Sequence, residues 1–481
     1  MLEKLKREVL YSKVRLFYIV VVLLYSLARQ FIVALQPVLM LSVFNLAVIG
    51  AAGLICLWDI ICFRNIFKAK YIWILAVLFA FTLISTVLNI DYGFSDNIKA
   101  AANMFIQFFV LYVVASDYKK EDIDKDIKVI GNAVGVFWMI ATFISLIMYF
   151  ADIYYTQTNY LWGEAKLVHQ GFVHFDGGAR VMRLWGVFID PNFASAVSII
   201  IICICAYLLY LSTKKWQRIL HIVNIVVQSF YIVLSGSRMA LLIVLLLAAV
   251  GGWYFAGNIL SAFKKTRLIK GFLREVLAVA LAVISVGAVY TAHTTIKSAL
   301  PYVRHGIALV HDVFEENTDL SEVPDKEDEY EINRDDMDSK TDISNGRLEL
   351  WLEGFKVFKK SPVFGVGPRN YATVANEINS EMDISYRSVH NSYVELLMGN
   401  GVIGFMLMLL FFLLCAIKGL KFRNQPTNVN TKVGILLLIV LSALAGGMFI
   451  SSLFYYLSGI SVVAFVMIGY AMKLMECENK G

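Results

Sequence analysis

The sequence predicts an all-α integral membrane protein of about 12 transmembrane helices, with a large extracytoplasmic loop containing short helices between the ninth and tenth. Three observations support this. Of the 481 residues 59% are hydrophobic and only 17% charged, where soluble domains carry about a quarter charged, and mean hydropathy is +0.67. Apolar runs of roughly 20 residues recur from end to end, each long enough to cross ~30 Å of hydrocarbon. The runs are continuous, without the period-two alternation of barrel strands, so helices follow.

The runs fall at about 15–35, 38–62, 71–90, 97–116, 128–150, 192–212, 217–235, 239–257, 272–293, 396–419, 431–453 and 456–475. Their basic flanks set the orientation. Lys4, Lys6, Arg7, Lys13 and Arg15 precede the first run, and Arg64, Lys68 and Lys70 follow the second. Later clusters follow the fourth (Lys119, Lys120), sixth (Lys214, Lys215), eighth (Lys264, Lys265) and tenth (Lys418, Lys421). Every even-numbered connection is basic, which predicts cytoplasmic termini. The expected layout is then 1–293 for helices one to nine, with an outer loop at 151–190. A large extracytoplasmic loop at 294–395 follows, with an acidic insert at 315–342, then helices ten to twelve over 396–475 and a cytoplasmic tail at 476–481.

No A-x-A site follows the first run, which reads as an uncleaved helix. The six cysteines avoid the outer loops, so no disulfide framework is expected. The net charge of +6 is accounted for by basic cytoplasmic loops facing anionic lipid, without a nucleic-acid partner. Walker, Rossmann and G-x-S-x-G patterns are missing, which argues against ATP hydrolysis by this chain.

The candidate chemistry lies outside the membrane. Ser388-Val389-His390-Asn391-Ser392-Tyr393 puts a histidine at the end of a hydrophilic loop, just before an apolar helix. The alternative reading is a helix cap or a solvated side chain. In the first outer loop, Asp190 is a candidate N-cap with Pro191 at the first helical position. Arg183 precedes it beside Trp185, as a ligand-binding group or an interface anchor. Arg238 follows Ser235-Gly236-Ser237 in a tight hairpin, where anchoring is again the alternative. Arg29, toward the outer end of the first run, either faces a polar cavity or snorkels outward. His169 and His174 lack a third zinc ligand at a convincing spacing. The acids Glu327–Glu329 and Asp335–Asp338 lack an EF-hand register.

Ser344 is a candidate cap for a helix with Leu348, Trp351, Leu352, Phe355 and Phe358 on one apolar face. Arg347 then sits in its first turn, where the helix end is already partly positive, so an anion held by both is expected. A glycine-rich turn, Phe364-Gly365-Val366-Gly367-Pro368, follows.

Taken together, the Arg183-to-Asn192 loop, Ser235 to Arg238, Gly346-Arg347 with Trp351, the glycine-rich turn, and His390 to Tyr393 with Gly401 and Gly404 resemble the O-antigen ligase and O-antigen polymerase superfamily of bacterial envelope glycosyltransferases. The resemblance implies a roughly twelve-helix enzyme of the bacterial cytoplasmic membrane that moves a glycan from undecaprenyl diphosphate to an acceptor hydroxyl at the outer face. It implies diphosphate-binding arginines, here Arg183, Arg238 and Arg347, and a catalytic loop histidine, here His390. Asn391, Gly365 and Gly367 take supporting places. It implies no metal and no cofactor. The partners it implies are an undecaprenyl-diphosphate-linked oligosaccharide, an acceptor glycan and membrane lipid, with a polysaccharide flippase and a chain-length regulator alongside. A single displacement predicts an inverting transferase. Polymerisation of repeat units for a capsule, exopolysaccharide or O-antigen is the favoured reading, with ligation of a finished glycan to another envelope acceptor as the alternative. A transporter or flippase of lipid-linked glycan, the reading from a different class, would line a path through the membrane with arginines.

Overall fold

The computed structural model describes the chain apart from residues 1, 32–41, 116–119, 152, 154, 162–163, 172, 177–178, 261–266, 315–332, 335–345, 425–426 and 479–481. Its helices are α1 (Leu2–Ala28), α2 (Ser42–Cys62), α3 (Ile72–Leu88), α4 (Ser95–Ile106), α5 (Lys120–Phe150), α6 (Pro191–Leu211) and α7 (Lys215–Leu234). They continue with α8 (Arg238–Leu260), α9 (Arg267–Phe314), α10 (Arg347–Phe358), α11 (Tyr371–Ile378), α12 (Ser392–Lys421), α13 (Thr427–Gly447) and α14 (Gly459–Glu478). Among the described residues ten of these, α1, α2, α5 to α9 and α12 to α14, are long and apolar enough to cross a membrane. The chain is a multi-pass membrane protein.

Two of the apolar runs are built differently. The 71–90 run gives α3, a helix of 17 residues. The 97–116 run is not one helix: α4 passes into a π-helical turn, Gln107–Leu111, and a 3₁₀ turn, Tyr112–Ala115. Polar side chains account for the irregularity. Asn103 Nδ2 and Gln107 Nε2 donate to the carbonyls of Tyr455 and Tyr456 at 3.0 and 2.7 Å, so this run braces the α13–α14 connection.

Ion pairs collect at one end of the bundle. Asp124, near the start of α5, pairs with Lys432 near the start of α13 and accepts from Tyr207 Oη near the end of α6. Arg423, between α12 and α13, makes a bidentate pair with Glu275 of α9 at 2.9 and 3.1 Å and lies 3.8 Å over the Trp253 ring of α8. Lys418 and Glu476 meet at the ends of α12 and α14. Alternate helix termini therefore share this end, as antiparallel neighbours require. Among the described basic residues, Lys418, Arg423 and Lys432 are on this side.

The opposite end carries the connections 183–190, 235–238, 346–391 and 448–458. Where 151–190 reads as loop from the sequence, the structure has four short strands: β1 (Tyr155–Leu161), β2 (Glu164–Gln170), β3 (Val173–Asp176) and β4 (Ala179–Met182). The first two form an antiparallel hairpin, and β4 lies between β3 and β5 (Asn333–Arg334), a short piece of the acidic insert. The side chains of His169 and His174, and the acidic runs at 327–329 and 335–338, lie outside the described residues. Helix α9 continues past its apolar part to Phe314.

Helix α10 corrects part of the expected face. Leu348, Leu352 and Phe355 are exposed, while Leu350, Glu353, Gly354 and Val357 are buried. Its neighbours select that face: a Cβ on Gly354 would stand 2.8 Å from Val394 and 3.2 Å from Met398. Glu353 is buried because it accepts from the Ile384 amide at 3.1 Å, which satisfies a charge otherwise costly to desolvate. Gly346, at φ 75°, occupies the N-cap position, and Ser344 is outside the described residues.

Candidate active site

Three short-range decisions place His390. Asn391 is the N-cap of α12, its Oδ1 accepting from the amides of Tyr393 and Val394 at 2.9 and 3.1 Å. Such a cap ends the helix abruptly and is worth about 1 kcal/mol. Ser392 Oγ then anchors the helix start to the α13–α14 connection, donating to Ile450 O at 2.7 Å and accepting from the amides of Ser452 and Leu453. His390 itself takes the left-handed conformation, φ 49°, costing a non-glycine residue on the order of 1–2 kcal/mol. Ser388 Oγ accepts its amide at 3.2 Å.

The imidazole is partly buried. Burial and, next, the charge of Arg347 hold its pKa below the usual 6.5, with Asp190 opposing. A neutral imidazole at pH 7 can accept a proton. Arg347, in the first turn of α10, lies with its guanidinium 5.9 Å over the Phe449 ring. Asp190 caps α6 through the Asn192 amide at 2.8 Å, with Pro191 at the first position, as the sequence indicates. The structure therefore gathers His390, Arg347 and Asp190.

Arg183 lies close to the Asp190 cap, through Asn192. It is buried, its Nε donating to Ser235 O at 2.8 Å and its Nη2 to Asn192 Oδ1 at 3.1 Å. Ser195 and Ser235 hydroxyls meet at 2.7 Å, tying the start of α6 to the turn before α8. Arg238 opens α8 at the end of that turn, and its guanidinium is exposed. It shares the same end of the bundle but makes no side-chain hydrogen bond or ion pair with the described residues. Arg29 lies just past the end of α1, over the Tyr25 ring at 5.9 Å, while the neighbouring Gln30 carbonyl accepts the Ile189 amide.

Gly365 and Gly367 act through packing. At φ 75° and 96° both adopt a backbone conformation natural to glycine. The amides of Val366 and Gly367 donate to the carbonyls of Met398 and Gly399, and the Val402 amide donates to Pro362 O. Helix α12 is opened at Gly401, φ 66° and ψ −171°, and the glycine-rich turn satisfies the backbone groups this frees. A Cβ on Gly365 would sit 2.3 Å from Gly399 backbone atoms.

The matched family enters on this geometry. Residues 223–409 match the family model described as O-antigen ligase. This stretch is similar to the O-antigen ligase family. It spans Arg238, Arg347, the glycine-rich turn and His390, whereas Arg183 and Asp190 precede it. The family so described is one of glycosyltransferase type, whose partners are lipid-linked oligosaccharides and glycan acceptors. A comparison with curated proteins finds no match. Among the described residues of the chain, no three His, Cys, Asp or Glu side chains converge as metal ligands would.

Sequence reasoning missed one polar cluster. Glu395, buried in the first turn of α12, accepts from Tyr456 Oη at 2.9 Å. Arg369 lies 4.0 Å over the Tyr456 ring. Tyr371 opens α11 close by, its pKa raised mainly by burial and next by Glu395, with Arg369 opposing. A carboxylate five residues after a histidine, at the head of an apolar run, was the available signal.

Proposed function

We propose that the chain is a glycosyltransferase of the bacterial cytoplasmic membrane that moves a glycan from undecaprenyl diphosphate to an acceptor sugar hydroxyl at the outer face, most simply by polymerising repeat units. The observation that carries this is the juxtaposition of His390, neutral and fixed by a helix cap, with Arg347 at the same end of the bundle. The reading includes twelve crossings, counting α3 and the composite α4 segment, with both termini cytoplasmic.

In this reaction the His390 imidazole takes the acceptor hydroxyl proton as the oxygen attacks the anomeric carbon. The carbon–oxygen bond to the diphosphate breaks, and the diphosphate leaves with the electron pair. Arg347 and Arg238 meet the growing negative charge with charge-assisted, fork-shaped donors that remain protonated. Arg183, with Nε and Nη2 committed to Ser235 and Asn192, adds a buried positive charge and holds the turn that presents Arg238. A single displacement inverts the anomeric configuration. Each role is filled by a side chain of this protein.

The test is incubation of purified protein with one lipid-linked oligosaccharide. A ladder of lengthening products, each new linkage inverted and absent with His390→Ala, is the expected result. Product only when a second acceptor type is added would replace polymerisation with ligation. Retained configuration would sink the one-step mechanism, and full activity of His390→Ala would end the base assignment.

A further inference from the structure

We propose that Arg369 forms an oxyanion-binding site for an acidic group on the acceptor glycan, separate from the arginines assigned to the donor diphosphate. Only the identity of the carrier, an acceptor glycan, rests on the glycosyltransferase reading. Arg369 follows Pro368 in the glycine-rich turn, and its amide donates to Asn97 Oδ1 at 2.8 Å, which fixes the backbone. Its guanidinium carbon lies over the Tyr456 ring, 4.0 Å from the ring centroid. It makes no side-chain hydrogen bond and no ion pair to the described residues, and it is partly exposed. A cation–π contact uses none of the guanidinium N–H donors, and those donors recognise a carboxylate or phosphate in two-pronged fashion.

The platform is rigid. Tyr456 O accepts from Gln107 Nε2 and Ser461 Oγ at 2.7 and 2.8 Å, and Tyr456 Oη donates to buried Glu395. Arg369 also favours the charged form of Glu395, but only at a distance: the carboxylate takes its hydrogen bond from Tyr456, and no ion pair within 4 Å joins it to Arg369 among the described residues. The charges acting on His390 are Arg347, Asp190 and Arg387, whereas those around Arg369 are Glu395 and Asp96. Arg369 is thus set among different charged groups from those around His390, as a site distinct from the donor arginines requires.

The ligand is an oxyanion, either the carboxylate of an acidic sugar or a phosphate on the acceptor's carrier. The test uses the full chain in phosphatidylcholine nanodiscs at fixed ionic strength, in an Arg238→Gln, Arg347→Gln background that silences the proposed donor side. Thermal stability is followed while sodium glucuronate, inorganic phosphate or neutral glucose is titrated. Saturable stabilisation by at least one anion and none by glucose is expected, weakened at least tenfold by adding Arg369→Gln. A response to glucuronate assigns the acidic sugar, and a response to phosphate alone assigns the carrier. No anion response in the background, or an Arg369→Gln titration that superimposes on it, overturns the proposal. If Arg369→Gln does not fold, Arg369→Lys is read instead: it keeps the charge but loses the fork, so several-fold weaker binding is expected and unchanged affinity is the contrary result. No turnover is measured, so the outcome is independent of whether His390 proves to be the base.

Discussion

His390 shows how a single side chain acquires chemistry from its surroundings. Its left-handed backbone, the Asn391 cap and the Arg347 charge are separate facts of packing, and together they hold a neutral imidazole at the bundle end. Protonated imidazole cannot take a proton, so activity should fall as pH drops through a value below 6.5, with a plateau at neutral pH. Arg347→Gln removes a positive charge that depresses this pKa, so the acid limb should move to higher pH while the plateau rate also falls. A pH–rate profile of purified enzyme checks both, and an unmoved acid limb would count against the contact. His390→Ala should lower the rate by about 10²–10⁴ with normal protein level, the usual worth of a positioned base. Asn391→Ala removes two amide partners and should cost about 1 kcal/mol of stability, with a larger relative loss of activity because His390 loses its fixed position.

Helix α12 and the glycine-rich turn form one unit that neither makes alone. The turn supplies amides to the Met398 and Gly399 carbonyls, and Ser85 Oγ also donates to Gly399 O at 2.8 Å. Asn89 Nδ2 reaches Gly365 O at 3.1 Å, so α3 is fastened to the same joint. A methyl group at Gly365 would meet backbone in a conformation unfavourable to alanine. Gly365→Ala is therefore expected to destabilise by more than about 1 kcal/mol and lower the thermal midpoint of the detergent-solubilised protein, whereas Gly50→Ala, with nothing within 4 Å, should leave it nearly unchanged. The turn was visible in the sequence as a run of glycines, but its purpose was not. Its partner lies more than thirty residues away, and periodicity carries no record of which backbone groups a kink will free. For a similar reason periodicity gives only part of the α10 face: of the expected apolar residues Trp351 and Phe358 pack on the core, Leu348, Leu352 and Phe355 are exposed, and closeness to Val394 and Met398 selects Gly354.

Across the whole molecule, charge divides the two ends. Glu275, Arg423, Asp124, Lys432, Lys418 and Glu476 pair at one end, and the arginines with His390 occupy the other. Cys62 is exposed at the ion-paired end and Tyr386 at the opposite end. With cytoplasmic termini, a membrane-impermeant maleimide applied to intact spheroplasts should label Tyr386→Cys and leave Cys62 unlabelled until the membrane is opened. Reversed labelling would invert the topology and remove the active site from the outer face.

The sequence alone determined that this chain lives in a bilayer, because the hydrophobic content of long runs is a local property that no packing can hide. It also indicated the Asp190 cap, since that interaction closes within three residues, and it pointed to His390, Arg347, Arg238 and Arg183 through short motifs. Tertiary structure decided what local order cannot encode. It gathered His390, Arg347 and Asp190 and broke the fourth run so that its amides could brace the Tyr455 and Tyr456 carbonyls. It also laid Arg369 on Tyr456, 87 positions apart by residue number. These are contacts between segments remote in the chain, fixed by the geometry of helices packed side by side.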